Sequence, residues 1–311
     1  MPEVMDRIYI IDLHFVGQSG AIAAYLLLGE DGAAALVETG PSSCQEALIT
    51  GIRAAGVEPR AITQIVVTHI HLDHSGGAGT FVRDHAPHAH VWVHPLGRPH
   101  LVDPSKLARS AARLYGEMMD VLWGEIASLD EAQVTALHDR QKLTLAGHEL
   151  EILFTPGHAA HHVALRHVAN NAIFAGDVAG VRVPGAEPIN PPTVPPEFDL
   201  DLWVESIDRL LALKPYALLL IHFGVYYDAA DHLRELKRRL HEWTNLVRNG
   251  LEAGRTPAEL GAELQRRDAE APGNDAEGIR RLDLIAGYAI NAGGIQRYLS
   301  KKAEETATPA S

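Results

Sequence analysis

Apolar positions follow two periods along this chain. In the first third they form short runs broken by glycine and acidic turns. Residues 8–15, 21–28 and 33–38 are such runs, separated by Gly17/Gly20 and Glu30-Asp31-Gly32, and they predict strands. A helix is expected over 43–55, with Ser42 or Ser43 as its cap. The run Ile65-Val66-Val67-Thr68 predicts a buried strand ending at His69, followed by a helix over 80–85 and a strand over 90–94. The period then changes. Leu107, Ala111, Leu114, Met118, Val121 and Ile126 recur at helical spacing, which predicts a helical insertion over about 97–130.

Strand runs return at 143–154, 163–166, 172–174 and 217–221, with a helix over 200–213 between the last two. Beyond Asp228 the pattern is helical throughout. Leu233, Leu236, Leu240, Trp243 and Val247 make one stripe, and Thr256-Pro257-Ala258-Glu259 reads as a capping box with proline in the first turn. A last helix is expected over 277–299, and the small polar tail 303–311 is expected to be disordered. Two rounds of strands with flanking helices predict an α/β (α+β) fold: two sheets face to face with helices outside. The expected organisation is a catalytic unit over 1–227, a helical extension over 228–302 and the tail.

Composition narrows the function classes. The chain has 311 residues, 46% hydrophobic and 22% charged, as expected for a globular protein. A net charge of −13 without a basic cluster interleaved with aromatics argues against a nucleic-acid partner. The N-terminal segment carries Glu3, Asp6, Arg7 and Asp12, which interrupt the apolar core of a signal peptide, and no run reaches membrane-spanning length. A cytoplasmic protein without membrane contact is expected. Cys44 is the single cysteine, so no internal disulfide forms, and it reads as a small packing residue.

The chemistry concentrates in His69-Ile70-His71-Leu72-Asp73-His74, four metal-capable side chains at the end of a strand. Three further candidates each follow an apolar strand: His158 in Thr155-Pro156-Gly157-His158, Asp177 in Ala175-Gly176-Asp177, and His222 in His222-Phe223-Gly224. Imidazole and carboxylate suit zinc, with iron or manganese as alternatives.

These motifs, in this order over residues 8–225, resemble the metallo-β-lactamase-fold hydrolase superfamily. The resemblance implies an αββα sandwich of two mixed β-sheets. It implies that His69, His71 and His158 bind a first metal, that Asp73, His74 and His222 bind a second, and that Asp177 bridges both. Two zinc ions per chain would then share a bridging hydroxide that cleaves a small ester, thioester or lactone, with Asp73 and Asp177 at the catalytic centre. A mononuclear iron persulfide dioxygenase and a non-enzymatic ligand-binding member of the fold are the alternatives.

The bridging aspartate resembles the glyoxalase-II-like and lactonase-like side of the superfamily. The segment after it departs from both patterns. Arg182 is its one basic residue, where glyoxalase II carries a lysine and a tyrosine, and Gly180 stands where acyl-homoserine lactonases carry a tyrosine. Tyr226 and Tyr227 are expected to pack, as is His94, while His161 and His162 are expected beside the ligands. Glu38 occupies a position where the family usually has an aspartate supporting a ligand histidine; it reads equally as such a support or as a plain strand-to-loop turn. The proline-rich segment 183–196 is expected to border the site. The partner is expected to be a small-molecule substrate, and the apolar stripes of the helical appendages suit a homodimer.

Overall fold

The computed structural model describes residues 2–307. Among these, thirteen strands form two mixed sheets. The first holds β1 (Glu3–Met5), β2 (Ile8–Asp12), β3 (Ala23–Leu28), β4 (Ala34–Val37), β5 (Ile62–Val66), β6 (His90–Val93) and β7 (Val134–Ala136), in that order. Its first three pairings are antiparallel, and β4 to β7 run parallel. The second holds β8 (Lys142–Leu145), β9 (His148–Phe154), β10 (Val163–His167), β11 (Ala172–Phe174), β12 (Ala217–Leu220) and β13 (Gly224–Tyr226). Its order is β13-β12-β11-β10-β9-β8, and β11–β12 is its parallel pair.

The helices are α1 (Gln45–Ala54), α2 (Leu72–Ser75), α3 (Ala78–His85), α4 (Arg98–Val102), α5 (Ser105–Tyr115), α6 (Met119–Leu122), α7 (Leu200–Ala212), α8 (Ala229–Glu252), α9 (Pro257–Glu270), α10 (Ala276–Ala286) and α11 (Tyr288–Ala307). The expected αββα sandwich is the observed architecture.

Strand β12 shows why its sequence is uniformly apolar. Leu219 faces the core between the sheets with Leu36, Ile65 and Phe174, whereas Leu218 and Leu220 face an outer layer with Trp203, Ile207 and Leu236. Both faces are buried, so the period-two alternation disappears. The α8 stripe Leu233, Leu236, Leu240, Trp243 and Val247 is buried in that outer layer. The Thr256 capping box is present, with the Glu259 N–H donating to Thr256 Oγ1 at 3.3 Å and the Thr256 N–H to Glu259 Oε2 at 2.8 Å.

Several local expectations change. The run at 143–154 is a hairpin: Ala146 (φ 47°) and Gly147 (φ 83°) form a two-residue turn between β8 and β9. The last helix divides at Gly287, whose φ of −34° and ψ of 123° leave the helical region. The Asp283 carboxylate accepts the Tyr288 N–H that the break frees. Helix α11 continues to Ala307, into the segment expected to be disordered; 308–311 lie outside the described residues. Ser42 and Ser43 do not cap α1. Their hydroxyls donate to the carbonyls of Trp123 and Leu122 and so anchor the insertion. The insertion's apolar stripe is only partly core: Ala111 is buried, whereas Leu114, Met118 and Val121 are 39%, 48% and 55% exposed, because these short helices form a thin cap with a cavity beneath. Cys44 is buried, which pushes its thiol up to about 11, in keeping with a packing role. Among the described residues no helix is long and apolar enough to cross a membrane.

His232 on α8 supplies a pH test of this packing. Its Nε2–H donates to the Ala179 carbonyl at 2.7 Å, and burial lowers its pKa from 6.5 to about 4. Below pH 6.5 the unfolded chain takes up a proton that the folded chain refuses, so stability falls as pH falls toward 4. In urea titrations of chelator-treated protein, this group is expected to contribute a loss of about 2 kcal/mol between pH 7 and 5. His232→Gln keeps a donor and should remove that contribution; identical pH dependence in the two proteins would contradict it.

Candidate metal centre

The ligand candidates converge from separate strand ends. Strand β5 leads into His69 and His71. Helix α2 begins immediately afterwards and carries Asp73 and His74 in its single turn. His158 follows β9, Asp177 follows β11, and His222 follows β12. Two groups of ligand atoms result, each within 4.8 Å: His69, His71 and His158, and then Asp73, His74, Asp177 and His222.

In the first group His71 Nδ1 lies 3.0 Å from His69 Nε2 and 2.8 Å from His158 Nε2. A tetrahedral zinc with Zn–N bonds of about 2.0–2.1 Å separates its ligand nitrogens by about 3.3 Å, so this triangle has nearly the required size. In the second group His74 Nε2 lies 3.2 Å from Asp177 Oδ1 and 3.6 Å from Asp73 Oδ2, and His222 Nε2 lies 3.3 Å from Asp73 Oδ2. Asp177 spans the groups: Oδ2 is 3.3 Å from His158 Nε2, while Oδ1 faces His74 and His222.

A fit test for a cation comes from the buried polar atoms. His74 Nε2, His222 Nε2 and Asp177 Oδ1 are buried and close together, yet none is aligned for a hydrogen bond. Buried polar atoms without partners are rare, and a shared cation satisfies all three. The donor set therefore fits divalent metal.

The other edge of each imidazole is held. His74 Nδ1 meets Glu38 Oε1 at 3.1 Å, His222 Nδ1 donates to the Ala21 carbonyl at 2.9 Å, and His158 Nδ1 donates to the Pro192 carbonyl at 2.7 Å. His69 Nδ1 meets Thr68 Oγ1 at 3.1 Å. These contacts fix the tautomers and leave the opposite nitrogens facing the cluster. Thr68 donates both N–H and Oγ–H to Glu38, which is fully buried. Glu38 is thus a support for His74. His162 is buried beside the ligands; its Nε2 accepts the Asp177 N–H at 3.0 Å and its Nδ1 meets Thr155 Oγ1 at 2.8 Å. His161 meets Glu197 at 3.5 Å.

The two groups differ in charge. Burial, and then His74 and His71, hold the His69 pKa well below 6.5, and burial with His158 does the same to His71. In the second group burial opposes charge but loses. Asp177, Asp73 and Glu38 raise His74 well above 6.5, and His74 with His222 hold Asp73 at about 2. The carboxylates of the second group thus favour positive charge there, in contrast to the all-histidine group.

Gly157 explains how His158 reaches the site. At φ 136°, any Cβ would lie 2.2 Å from the Trp203 backbone, so the chain before the ligand packs directly on α7. His94 packs on Phe154 at 4.2 Å. Tyr226 donates to the Arg182 carbonyl at 3.0 Å beneath the Arg182 guanidinium, and Tyr227 is exposed against Tyr216. His94 and Tyr226 pack, as expected, whereas Tyr227 is a surface residue.

The sequence profile of the metallo-beta-lactamase superfamily matches residues 19–222, which contain every one of these ligand candidates. The chain belongs to that superfamily.

Among its relatives, a metallo-beta-lactamase fold-containing protein of Sulfurisphaera tokodaii is 29% identical over 177 residues, covering 55% of this chain and 65% of that protein. The lactamase-like protein adaB of Aspergillus niger is 28% identical over 144 residues, covering 46% of this chain and 34% of that one. The matched segments thus span about two thirds and about one third of these relatives. A metallo-beta-lactamase family protein from Thermus thermophilus superposes with a TM-score of 0.70 at 22% identity, over 97% of this chain and 95% of that chain. An archaeal superfamily structure from Sulfolobus tokodaii gives 0.66 at 21% identity, over 94% and 99%. These likenesses are of fold. For this superfamily member, the all-histidine group and the Asp/His group support a metal cofactor.

Proposed function

We propose that this protein is a dinuclear metal hydrolase of a small ester, thioester or lactone. In this reading His69, His71 and His158 hold one ion, Asp73, His74 and His222 hold the other, and Asp177 is shared. The observation that carries it is the division of the Asp177 oxygens between the two groups. Bound divalent ions, zinc by preference, supply an acidified water at neutral pH and a Lewis acid for the scissile carbonyl.

The chain's own residues supply the rest. Glu38, Ala21, Pro192 and Thr68 orient the imidazoles through their outer edges. Asp73, beside His74 and His222 and open to the cavity, is placed to take up a proton and pass it to the leaving group. A cavity of about 520 Å³ opens over the metal ligands, of a size that suits a small molecule. The insertion, the 192–197 segment and the C-terminal helices wall it. We take 1–227 as the catalytic unit and 228–302 as an extension that completes this wall.

The test is metal content by mass spectrometry together with turnover of a thioester, ester and lactone panel, with oxygen consumption followed in parallel. Two ions per chain and hydrolysis without oxygen uptake are expected. One iron per chain with oxygen consumption would replace this reading with the dioxygenase.

A further inference from the structure

The mouth of the cavity carries an unexplained charge pattern. The protein has a net charge of −13, and most of its arginines and lysines engage a carboxylate. Lys106, Arg113 and Arg297 line the cavity and, among the described residues, form no ion pair. Lys106 and Arg113 lie two turns apart on α5, on the side that faces the cavity, with Ser110 between them. Arg297 comes from α11 and donates Nε–H to the Pro196 carbonyl at 3.3 Å, which leaves its other nitrogens free of protein partners. Glu197, the acid at the mouth, already accepts from the Ala160 N–H at 2.9 Å and faces His161 at 3.5 Å. The rest of the lining includes the apolar side chains Ile70, Leu107, Ala111, Trp123 and Ile285, interrupted by His100, Tyr115 and His161.

We infer that Lys106, Arg113 and Arg297 form an anion subsite, and that the substrate is an acyl compound with an apolar arm ending in a carboxylate or phosphate. This deepens the hydrolase reading and rests on it for the placement of the scissile bond at the floor. Unpaired cations on two elements far apart in sequence, gathered at the mouth of one cavity in an acidic protein, are complementary to a ligand anion. The apolar part of the lining fits the arm that joins that anion to the reacting carbonyl.

The experiment measures equilibrium binding to the zinc-loaded full chain. Succinate, adipate and suberate are compared with butyrate, hexanoate and octanoate, and the terminal phosphonate analogue of adipate distinguishes the two anions. Zinc is present for both series, so the difference reads the distal group. At one chain length the dianion is expected to bind about tenfold tighter, as three partly exposed charge contacts predict, and the preference should shrink at high salt. The triple variant Lys106→Ala, Arg113→Ala, Arg297→Ala should reduce the preference to within about twofold while keeping the native circular dichroism. Arg113→Lys with Arg297→Lys keeps the charge and should retain most of it.

Equal binding of the two series, or a preference that survives the triple substitution, overturns the subsite. Hydrolysis of neutral esters together with flat binding would sink the subsite alone. A dianion preference with no hydrolysis of any ester, thioester or lactone would instead sink the hydrolase reading.

Discussion

Asp177→Ala is expected to release at least one ion per chain and to lower kcat by about a thousandfold or more. Asp177 is 3% exposed, and its oxygens approach His158 on one side and His74 and His222 on the other. In the proposed arrangement its removal takes one ligand from both groups at once and deletes a negative charge between the two ions. Metal activation contributes several kcal/mol to such reactions, and each 1.36 kcal/mol is a factor of ten in rate. The backbone contact from the Asp177 N–H to His162 does not depend on the side chain, so the loop should hold its shape. Asp177→Asn separates charge from volume: it fills the same space and should also lose metal. Mass spectrometry of the purified proteins with turnover at saturating substrate decides the matter, and a variant with full metal and native kcat would refute the shared-ligand role.

Glu38→Ala is expected to destabilise the protein by about 3–5 kcal/mol and to weaken metal binding about 10–100-fold. The Glu38 carboxylate accepts from the Thr68 N–H and hydroxyl and meets His74 Nδ1, with no water access. Without it, two buried donors and an imidazole lose their partner together. Glu38 adopts φ 67°, a conformation that alanine shares, so the backbone constraint is the same in both proteins and the difference reads the carboxylate. Denaturant midpoints and chelator competition measure the two effects separately. Glu38→Gln retains one acceptor oxygen and should fall between. Native stability and native metal affinity in Glu38→Ala would show that the carboxylate is dispensable.

The two substitutions probe different parts of the same centre. Asp177 acts at the metals, while Glu38 acts through His74 and touches neither cation in the proposed arrangement. Loss of metal with retained stability in the first, and loss of both in the second, is the pattern that the geometry predicts.

The chain's local chemistry is legible without coordinates. His69, His71, Asp73 and His74 lie within six residues at a strand end, so their proximity is guaranteed by connectivity. His158, Asp177 and His222 can be found because each follows an apolar run, and such strand ends share an edge when the runs pair in one sheet. The αββα layering follows from the two rounds of strands for the same reason: apolar periodicity reports burial, and burial selects the layers.

Other features depend on tertiary structure. The carbonyls of Ala21 and Pro192 orient His222 and His158, but a backbone carbonyl has no signature in the sequence. Glu38 reads equally as a turn residue until Thr68 and His74 are placed on it. The α5 pattern predicts an apolar side without saying whether that side meets core or cavity, and Leu114 proves exposed. Lys106 and Arg297 look like solvated surface charges in the linear chain. Only the folding of the insertion and the last helix around one opening brings them over the metal ligands. Side-chain type and short-range spacing determine which chemistry the chain can perform. Long-range packing decides which groups meet, because burial and distance set the strength of every charge and hydrogen bond at the site.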